Sequence, residues 1–447
     1  MPYGDGTFKL DRMRELLLRL GNPQAKLPIV HVAGTKGKGS TSAMIAAVLS
    51  AAGYRTGLFS SPHLDRLEER MAVDGQPCSA AELLELVEIL RPVVAQLDLA
   101  GSRRRPAETG PTYFELTTAM ALLHFVRSNV QAAVLEVGLG GRLDSTNVCL
   151  PAVSVITSIS FDHMRQLGNT LAAIAREKAG IIKPGVPVVS GVVDDEPRQV
   201  IEQIAWQRGS RLLQLGRDFH YQYEPPRDVG REAAQGRMSY HLSCPDRQQT
   251  YDNVSLGLLG RHQAANAATA LTVLDELARQ GWQISEAALR RGVAEVRWPA
   301  RVEVAGRQPA VVIDAAHNVA SVEALAATLA ESFSARERIL VFATTRDKEV
   351  PAMLRCLLPH FDHVILTQYQ NNPRGVPPEE LAAIAAQESA AVRVCPSPAA
   401  AWEVVRTLAG EKDLVCITGS FFIAAEMRAQ IAARPLQPAQ NAVLEPT

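Results

Sequence analysis

From residue 27 to about residue 215 the chain keeps one rhythm: a short β-branched apolar run, a turn, then apolar residues at helical spacing. Residues 27–32 predict a buried strand and 40–52 a helix. Residues 54–59 predict the next strand, 116–127 a helix, and 132–137 and 153–158 two further strands. A helix over 171–182, ended by Pro184-Gly185, leads into a strand at 186–189. This alternation predicts a parallel sheet with helices on both faces.

Between residues 219 and 260 the rhythm breaks. The stretches FHYQYEPP, RMSYHLSC and VSLGLLG predict short strands with polar turns, a small antiparallel insertion. Helices resume at 263–279 and 286–296, and after RWPARVEV a second βαβ series follows, with strands at 310–313, 339–343, 364–367 and 414–418. The fold class is therefore α/β: an N-terminal P-loop parallel-sheet domain with a small antiparallel insertion, then a C-terminal Rossmann-like α/β domain. The boundary falls near Trp298-Pro299, giving domains at 1–298 and 299–434; the Pro-, Gln- and Asn-rich tail 435–447 is expected to be disordered.

Composition narrows the function classes. A chain of 447 residues exceeds one ordinary core, and 47% hydrophobic with 21% charged residues is globular usage. The net charge of -1 gives no electrostatic support for a nucleic-acid or membrane partner. The one basic run, Arg103-Arg104-Arg105, lies in a Gly/Pro-flanked stretch and reads as a solvated loop. Six scattered cysteines without a C-x-x-C pair fit a reduced protein without structural zinc or disulfides. With no basic-then-apolar N-terminal signal and no apolar run of about 20 residues, the expectation is a cytoplasmic chain.

In an open parallel sheet, ligands bind beyond the carboxyl ends of the strands. The first strand delivers HVAGTKGKGS, which departs from the usual phosphate loop by one residue: Gly37-Lys38 is followed by Gly39, and the hydroxyls come at Ser40 and Thr41. Gly34, Gly37 and Gly39 let backbone N–H groups turn inward, the helix from Ser40 adds its positive end, and Lys38 supplies a point charge. This is a nucleotide site. Other strand ends bring Ser60, Ser61 and His63, then Glu136 before GLGGRLDSTN, then Asp162-His163. Beside a phosphate loop, Glu136 and Asp162-His163 read as metal ligation and water orientation. Mg²⁺ favours oxygen ligands, so an imidazole ligand brings in Mn²⁺ as well.

Lys178 in REKAGIIKPG has apolar neighbours on its helix. Facing inward, it is either salt-bridged, with Glu177 or Asp162, or lowered in pKa, and a neutral amine there can take up CO₂ as a carbamate. The second series delivers Asp314, His317 and Asn318 in VVIDAAHN, and Thr418-Gly419-Ser420 before a helix.

These motifs resemble the folylpolyglutamate synthase/dihydrofolate synthase family, a branch of the Mur ligase superfamily of ATP-dependent amide-forming enzymes. HVAGTKGKGS, FSSPHL, TYFELTT, LEVGLGGRLDSTN, DHMRQLGNT, IAREKAGIIK, GRHQAANAATA, IDAAHN, DKE and ITGS stand in family order across nearly the whole chain. The resemblance implies that ATP phosphorylates a pterin-linked carboxylate and that the amine of L-glutamate attacks the acyl phosphate. The substrates would be dihydropteroate or a reduced folate, with ATP and Mg²⁺ or Mn²⁺, in a monomer.

By the same resemblance, Gly34, Thr35, Gly37, Lys38, Gly39, Ser40, Asn266, Arg301 and Asp314 bind ATP, and Ser40, Ser61, Glu136 and His163 surround a metal. Lys178 matches a lysine that holds a second metal as its carbamate. Phe114, Leu143, Asp144 and Ser145 match places that hold the pterin substrate, and His317 and Ser420 lie near the transferred phosphate and incoming glutamate. Lys38, Lys178, His317 and Asp314 are the candidate catalytic residues.

Three positions depart from the pattern. Lys36 stands where the loop usually has asparagine, Ala300 where Pro-Gly-Arg has glycine, and Ala315 where Asp-Gly-Ala-His-Asn has glycine. Two other readings compete: a related ligase acting on a cell-wall or storage-polymer precursor, which FSSPHL and GLGGRLDSTN argue against, and a non-catalytic nucleotide switch. Within the family reading, the chain is expected to carry both glutamate-adding activities.

Overall fold

In the computed structural model of this chain, which describes residues 10–104, 110–230, 232, 234–388 and 391–436, the first apolar run forms the strand Ile29–Ala33 (β1). Every residue of β1 is buried, as a strand covered on both faces requires. It belongs to an eight-stranded sheet with Thr56–Phe59 (β2), Met71–Val73 (β3), Gln76–Pro77 (β4), Ala132–Glu136 (β5), Val153–Ile156 (β6), Val188–Ser190 (β7) and Leu212–Gln214 (β8). The order is β4-β3-β2-β5-β1-β6-β7-β8, and every pairing from β2 to β8 is parallel. Leu16 and Leu17 of the helix Asp11–Arg19 and Leu122 and Phe125 of Tyr113–Arg127 pack with Phe59 and Leu135 in one core. Ile174 of Leu171–Ala179 and Ile201 of Asp195–Gln207 pack with Ile156 and Val188 in another.

The sheet is not wholly parallel. β3 and β4 form an antiparallel hairpin on its edge. Asp74-Gly75 makes the turn with φ of 51° and 76°, the successive positive values a tight hairpin needs. The helices Asp11–Arg19, Ala80–Arg104 and Asp195–Gln207 also go beyond the expected elements. Ala80–Arg104 corrects the expectation of a loop at the basic run: Arg103 and Arg104 end this helix, and Arg105 lies outside the described residues.

Phe219–Glu224 (β9), Gly236–Cys244 (β10) and Arg247–Leu256 (β11) form the small inserted sheet, in the order β11-β10-β9. The second series builds a six-stranded sheet from Glu303–Arg307 (β12), Ala310–Ile313 (β13), Arg338–Phe342 (β14), His363–Leu366 (β15), Val392–Val394 (β16) and Leu414–Thr418 (β17), ordered β12-β13-β17-β14-β15-β16. Only β12 is antiparallel to its neighbour. No residue of the edge strands β12 and β16 is buried, and β16 is only three residues long, so no apolar run announces them.

The chain divides into two compact units. One comprises the chain up to Gln222 with Met238–Ser255 and Gln263–Val296; the other takes Tyr223–Arg237, Leu256–His262 and the chain from Arg297. The early segments join the second unit through its own contacts: Arg307 Nη1 donates to the Glu232 carbonyl at 2.6 Å, and Val229 N–H to that of Ser332 at 3.0 Å. The tail expected to be disordered lies, from 437 on, outside the described residues. All six cysteines are free thiols, and among the described residues no helix is long and apolar enough to cross a membrane.

Candidate active site

The parallel neighbours β2, β5, β1 and β6 bring their carboxyl ends to one edge of the sheet. β1 runs into the glycine loop, and the helix Lys38–Ala51 leaves it with Gly37 as N-cap at φ 82°. A side chain there would be strained at that φ and would push Asn266 aside, its Cβ standing 2.2 Å from Asn266 Oδ1. Gly34 is as tightly held, 2.0 Å in the same sense from Thr157 Oγ1.

The loop is fastened to the end of β6 by hydroxyls that motif reading passed over. Thr157 and Ser158 donate to the Lys36 carbonyl at 2.6 and 3.0 Å, Ser158 Oγ accepts from Lys36 N–H at 2.9 Å, and Thr35 exchanges hydrogen bonds with the Ser160 backbone. The signal was there in TSIS, a hydroxyl-rich run ending a buried strand. The Thr41 hydroxyl, in the first turn of the helix, is buried with no hydrogen-bond partner among the described residues.

Lys38 Nζ donates to the carbonyls of Gly34 and Thr35 at 3.0 and 3.3 Å, and Lys178 Nζ reaches the same Gly34 carbonyl at 2.8 Å. Lys178 is 4% exposed. Burial first, then the charge of Lys38, lowers its pKa to about 7, against the pull of Asp162. Glu177 pairs instead with Arg142. Lys36, in place of the family's asparagine, forms an ion pair with Asp162 at 3.0 Å.

Glu136 ends β5 buried, and one of its oxygens accepts from Ser61 N–H at 3.2 Å. Ser40 is buried on the first turn of its helix, whereas His163 is half-exposed, at φ 50°, with Nε2 3.8 Å from Asp162. Carboxylate, hydroxyls and one imidazole at the same rim form a donor set suited to Mg²⁺ or Mn²⁺. His63 accepts from Arg70 Nε at 2.9 Å, and the Arg70 guanidinium lies 5.5 Å from the centre of the Tyr113 ring.

The expected pterin residues do different things. Phe114 lies against Phe59, ring centres 5.9 Å apart, and Leu143 is half-buried. Asp144 is turned into its own loop, accepting from the N–H groups of Gly138, Leu139 and Thr146 and from the Thr146 hydroxyl at 2.6 Å. Burial pushes its carboxyl up against those hydrogen bonds. It shapes the turn that Ser145 begins.

In the second unit, Asp314 follows β13 and Ser420 follows the adjacent β17. Asp314 is buried and spends both oxygens on backbone, accepting from Val302 N–H at 2.8 Å and Ala316 N–H at 2.7 Å; burial raises its pKa. Phe421, also outside the motif reading, supports two expected residues: the Arg301 guanidinium lies 4.9 Å from its ring centre and the His317 ring 5.8 Å. His317 Nδ1 lies 2.9 Å from the Ala315 carbonyl, and the Ser420 hydroxyl caps the helix Phe421–Ala433 by accepting from Ile423 N–H. Ala300 and Val302, flanking Arg301, both take positive φ, 54° and 45°.

Comparison with known proteins identifies the family. The Mur ligase middle domain matches residues 32–274 and the Mur ligase glutamate ligase domain residues 300–421. Dihydrofolate synthase/folylpolyglutamate synthase of Bacillus subtilis is 36% identical over 425 residues, 94% of each chain. The Escherichia coli structure in complex with DHPP and ADP superposes with a TM-score of 0.82 at 30% identity, covering 97% of this chain and 95% of that one. A bifunctional folylpolyglutamate synthase/dihydrofolate synthase with Mn, AMPPNP and L-glutamate bound gives 0.80 at 30% identity and 96% coverage of each. The chain belongs to the folylpolyglutamate synthase/dihydrofolate synthase branch of the Mur ligase superfamily and is an ATP-dependent ligase that joins glutamate to folates.

Proposed function

We propose that this ligase carries both activities, adding the first glutamate to dihydropteroate and lengthening the glutamate tail of reduced folates, through an acyl phosphate. The observation that carries the chemistry is the meeting of Lys38 and Lys178 on the Gly34 carbonyl, at the rim that holds Glu136. A loop of inward N–H groups, a helix N-terminus and a lysine suits the γ-phosphate of ATP. The acceptor carboxylate attacks that phosphorus, ADP leaves, and an acyl phosphate forms. The glutamate amine then attacks the acyl carbon, and phosphate leaves as the amide forms.

Around that sequence, Gly34, Thr35, Gly37, Gly39 and Asn266 would serve nucleotide binding in the first unit, and Arg301 and Asp314 in the second, Asp314 by fixing the backbone beside Arg301. With Nδ1–H donating to the Ala315 carbonyl, the basic nitrogen of His317 would be Nε2, and a role as proton acceptor fits the incoming amine. Phe114, Leu143 and Ser145 would bound the pterin, on a turn shaped by Asp144, and Ser420 would face glutamate. Ser40, Ser61, Glu136 and His163 would hold Mg²⁺ or Mn²⁺, which when bound screens the phosphate charge.

Lys178 is read as a carbamate. Its pKa of about 7 supports a substantial neutral fraction at physiological pH. The ammonium first loses one proton, and reaction of the neutral amine with CO₂ releases a second, so that a cation gives way to a carbamate anion, which suits a second metal. The test is phosphate release from ATP with Mg²⁺ and L-glutamate, with dihydropteroate and tetrahydrofolate as parallel acceptors. Release with both establishes the bifunctional reading, release with one reduces it to that activity, and release with neither rejects it.

A further inference from the structure

Away from the nucleotide and folate residues, the fold gathers one more set of ligating side chains. Cys78 directly follows β4, Glu82 lies in the first turn of Ala80–Arg104, and His124 lies in the last turn of Tyr113–Arg127. A thiol, a carboxylate oxygen and a ring nitrogen from these three lie within 4.8 Å of one another. Cys78 and His124 are 3% and 5% exposed, while Glu82 reaches solvent. The Cys78 backbone is fixed, its N–H donating to the Met71 carbonyl at 2.8 Å. The His124 ring leans on that of Phe125, ring centres 6.1 Å apart, and no hydrogen bond to a described residue ties up its nitrogens.

We propose that Cys78, Glu82 and His124 bind a divalent cation of the zinc class, with water completing a tetrahedral shell. Sulfur, nitrogen and oxygen together select zinc-like ions over Mg²⁺, which asks for oxygen. Metal–ligand lengths of about 2.0–2.3 Å put the ligand atoms of a tetrahedral shell roughly 3.3–3.6 Å apart. The three atoms therefore have only a short way to draw in, and the solvent-facing Glu82 carboxylate can turn toward the other two. Its Oε2 is held by the Ser79 N–H and hydroxyl at 2.8 and 2.6 Å, which leaves Oε1 to the metal. As sulfur bonds the cation, the thiol proton leaves to solvent. The bound ion would tie the start of one helix to the end of another, a cross-link between positions 78, 82 and 124 that no sequence spacing announces.

Cobalt titration of the EDTA-treated full chain, in buffer saturated with Mg²⁺, tests this. The expected result is a thiolate-to-cobalt charge-transfer band in the near ultraviolet with strong visible tetrahedral bands, reached at one equivalent and reversed by Zn²⁺. Affinity should fall at least about tenfold in Cys78→Ser and in His124→Gln. Zn²⁺ should also raise the Tm of the wild-type chain more than that of Glu82→Gln, whose amide oxygen can still accept from Ser79. Should Cys78→Ser fail to fold, the His124→Gln titration and the Glu82→Gln melting decide. Absence of the charge-transfer band in the wild-type chain, or a band unchanged in these variants, overturns the proposal and leaves Glu82 as a helix cap only.

Discussion

The amines of Lys178 and Lys38 donate to one carbonyl oxygen, that of Gly34, at 2.8 and 3.0 Å. Burial of Lys178, and then the charge of Lys38 beside it, lowers the pKa of Lys178. Lys178→Ala is expected to lower ligase turnover by at least about 100-fold. A short carboxylic acid added to the variant should restore part of it by standing in for the carbamate. Near-normal turnover without the acid would remove Lys178 from the mechanism.

Lys36 is engaged with Asp162 across the loop, both side chains partly buried, at 28% and 17% exposure. A pair of this exposure contributes about 0–1 kcal/mol. Lys36→Asn, which restores the family's usual residue, should therefore leave stability nearly unchanged and the KM for ATP within about fivefold, the most that a pair of that strength shifts an equilibrium. A rise in that KM well beyond this range would show that the ammonium serves the phosphates.

Ala300 adopts a φ of 54° while fully buried beside Arg301. A left-handed alanine carries a cost of roughly 1–2 kcal/mol, part of which glycine would remove. Ala300→Gly should raise the urea midpoint by an amount equivalent to about 0.5–1 kcal/mol with an unchanged m-value. A lower midpoint would mean that packing of the methyl group outweighs the backbone strain.

His31, inside β1, faces Thr146 with Nε2 2.8 Å from its hydroxyl. Burial, then the charge of Lys183, lowers its pKa from 6.5 to about 3. The folded state keeps it neutral, whereas the unfolded chain takes up a proton below 6.5. Stability is thus complete above that value and is lost as pH falls toward 3, by about 2 kcal/mol at pH 5. Urea unfolding at pH 7 and pH 5 should show this loss, and His31→Gln should shrink the difference between the two pH values. The difference should not vanish, because burial also lowers His262, to about 4. An unaltered difference would assign the acid sensitivity elsewhere.

The alternating layers and the glycine loop follow from local patterns in the chain. Buried parallel strands are written as continuous apolar runs, and a loop that must turn N–H groups inward needs glycine at fixed places, so β1, β5, β6 and Gly34–Gly37 were legible. The Asp74-Gly75 turn was equally legible as a hairpin signal, yet its flanking strands are too short to register as a pattern. Edge strands such as β16, three residues long and with none buried, are too short to leave a periodic trace. Tertiary structure alone decided which hydroxyls hold the loop, that Asp144 faces its own turn, that Phe421 carries both Arg301 and His317, and that Cys78 meets His124. Those relations join residues far apart in the chain, and their geometry depends on how strands and helices pack, which local periodicity does not encode.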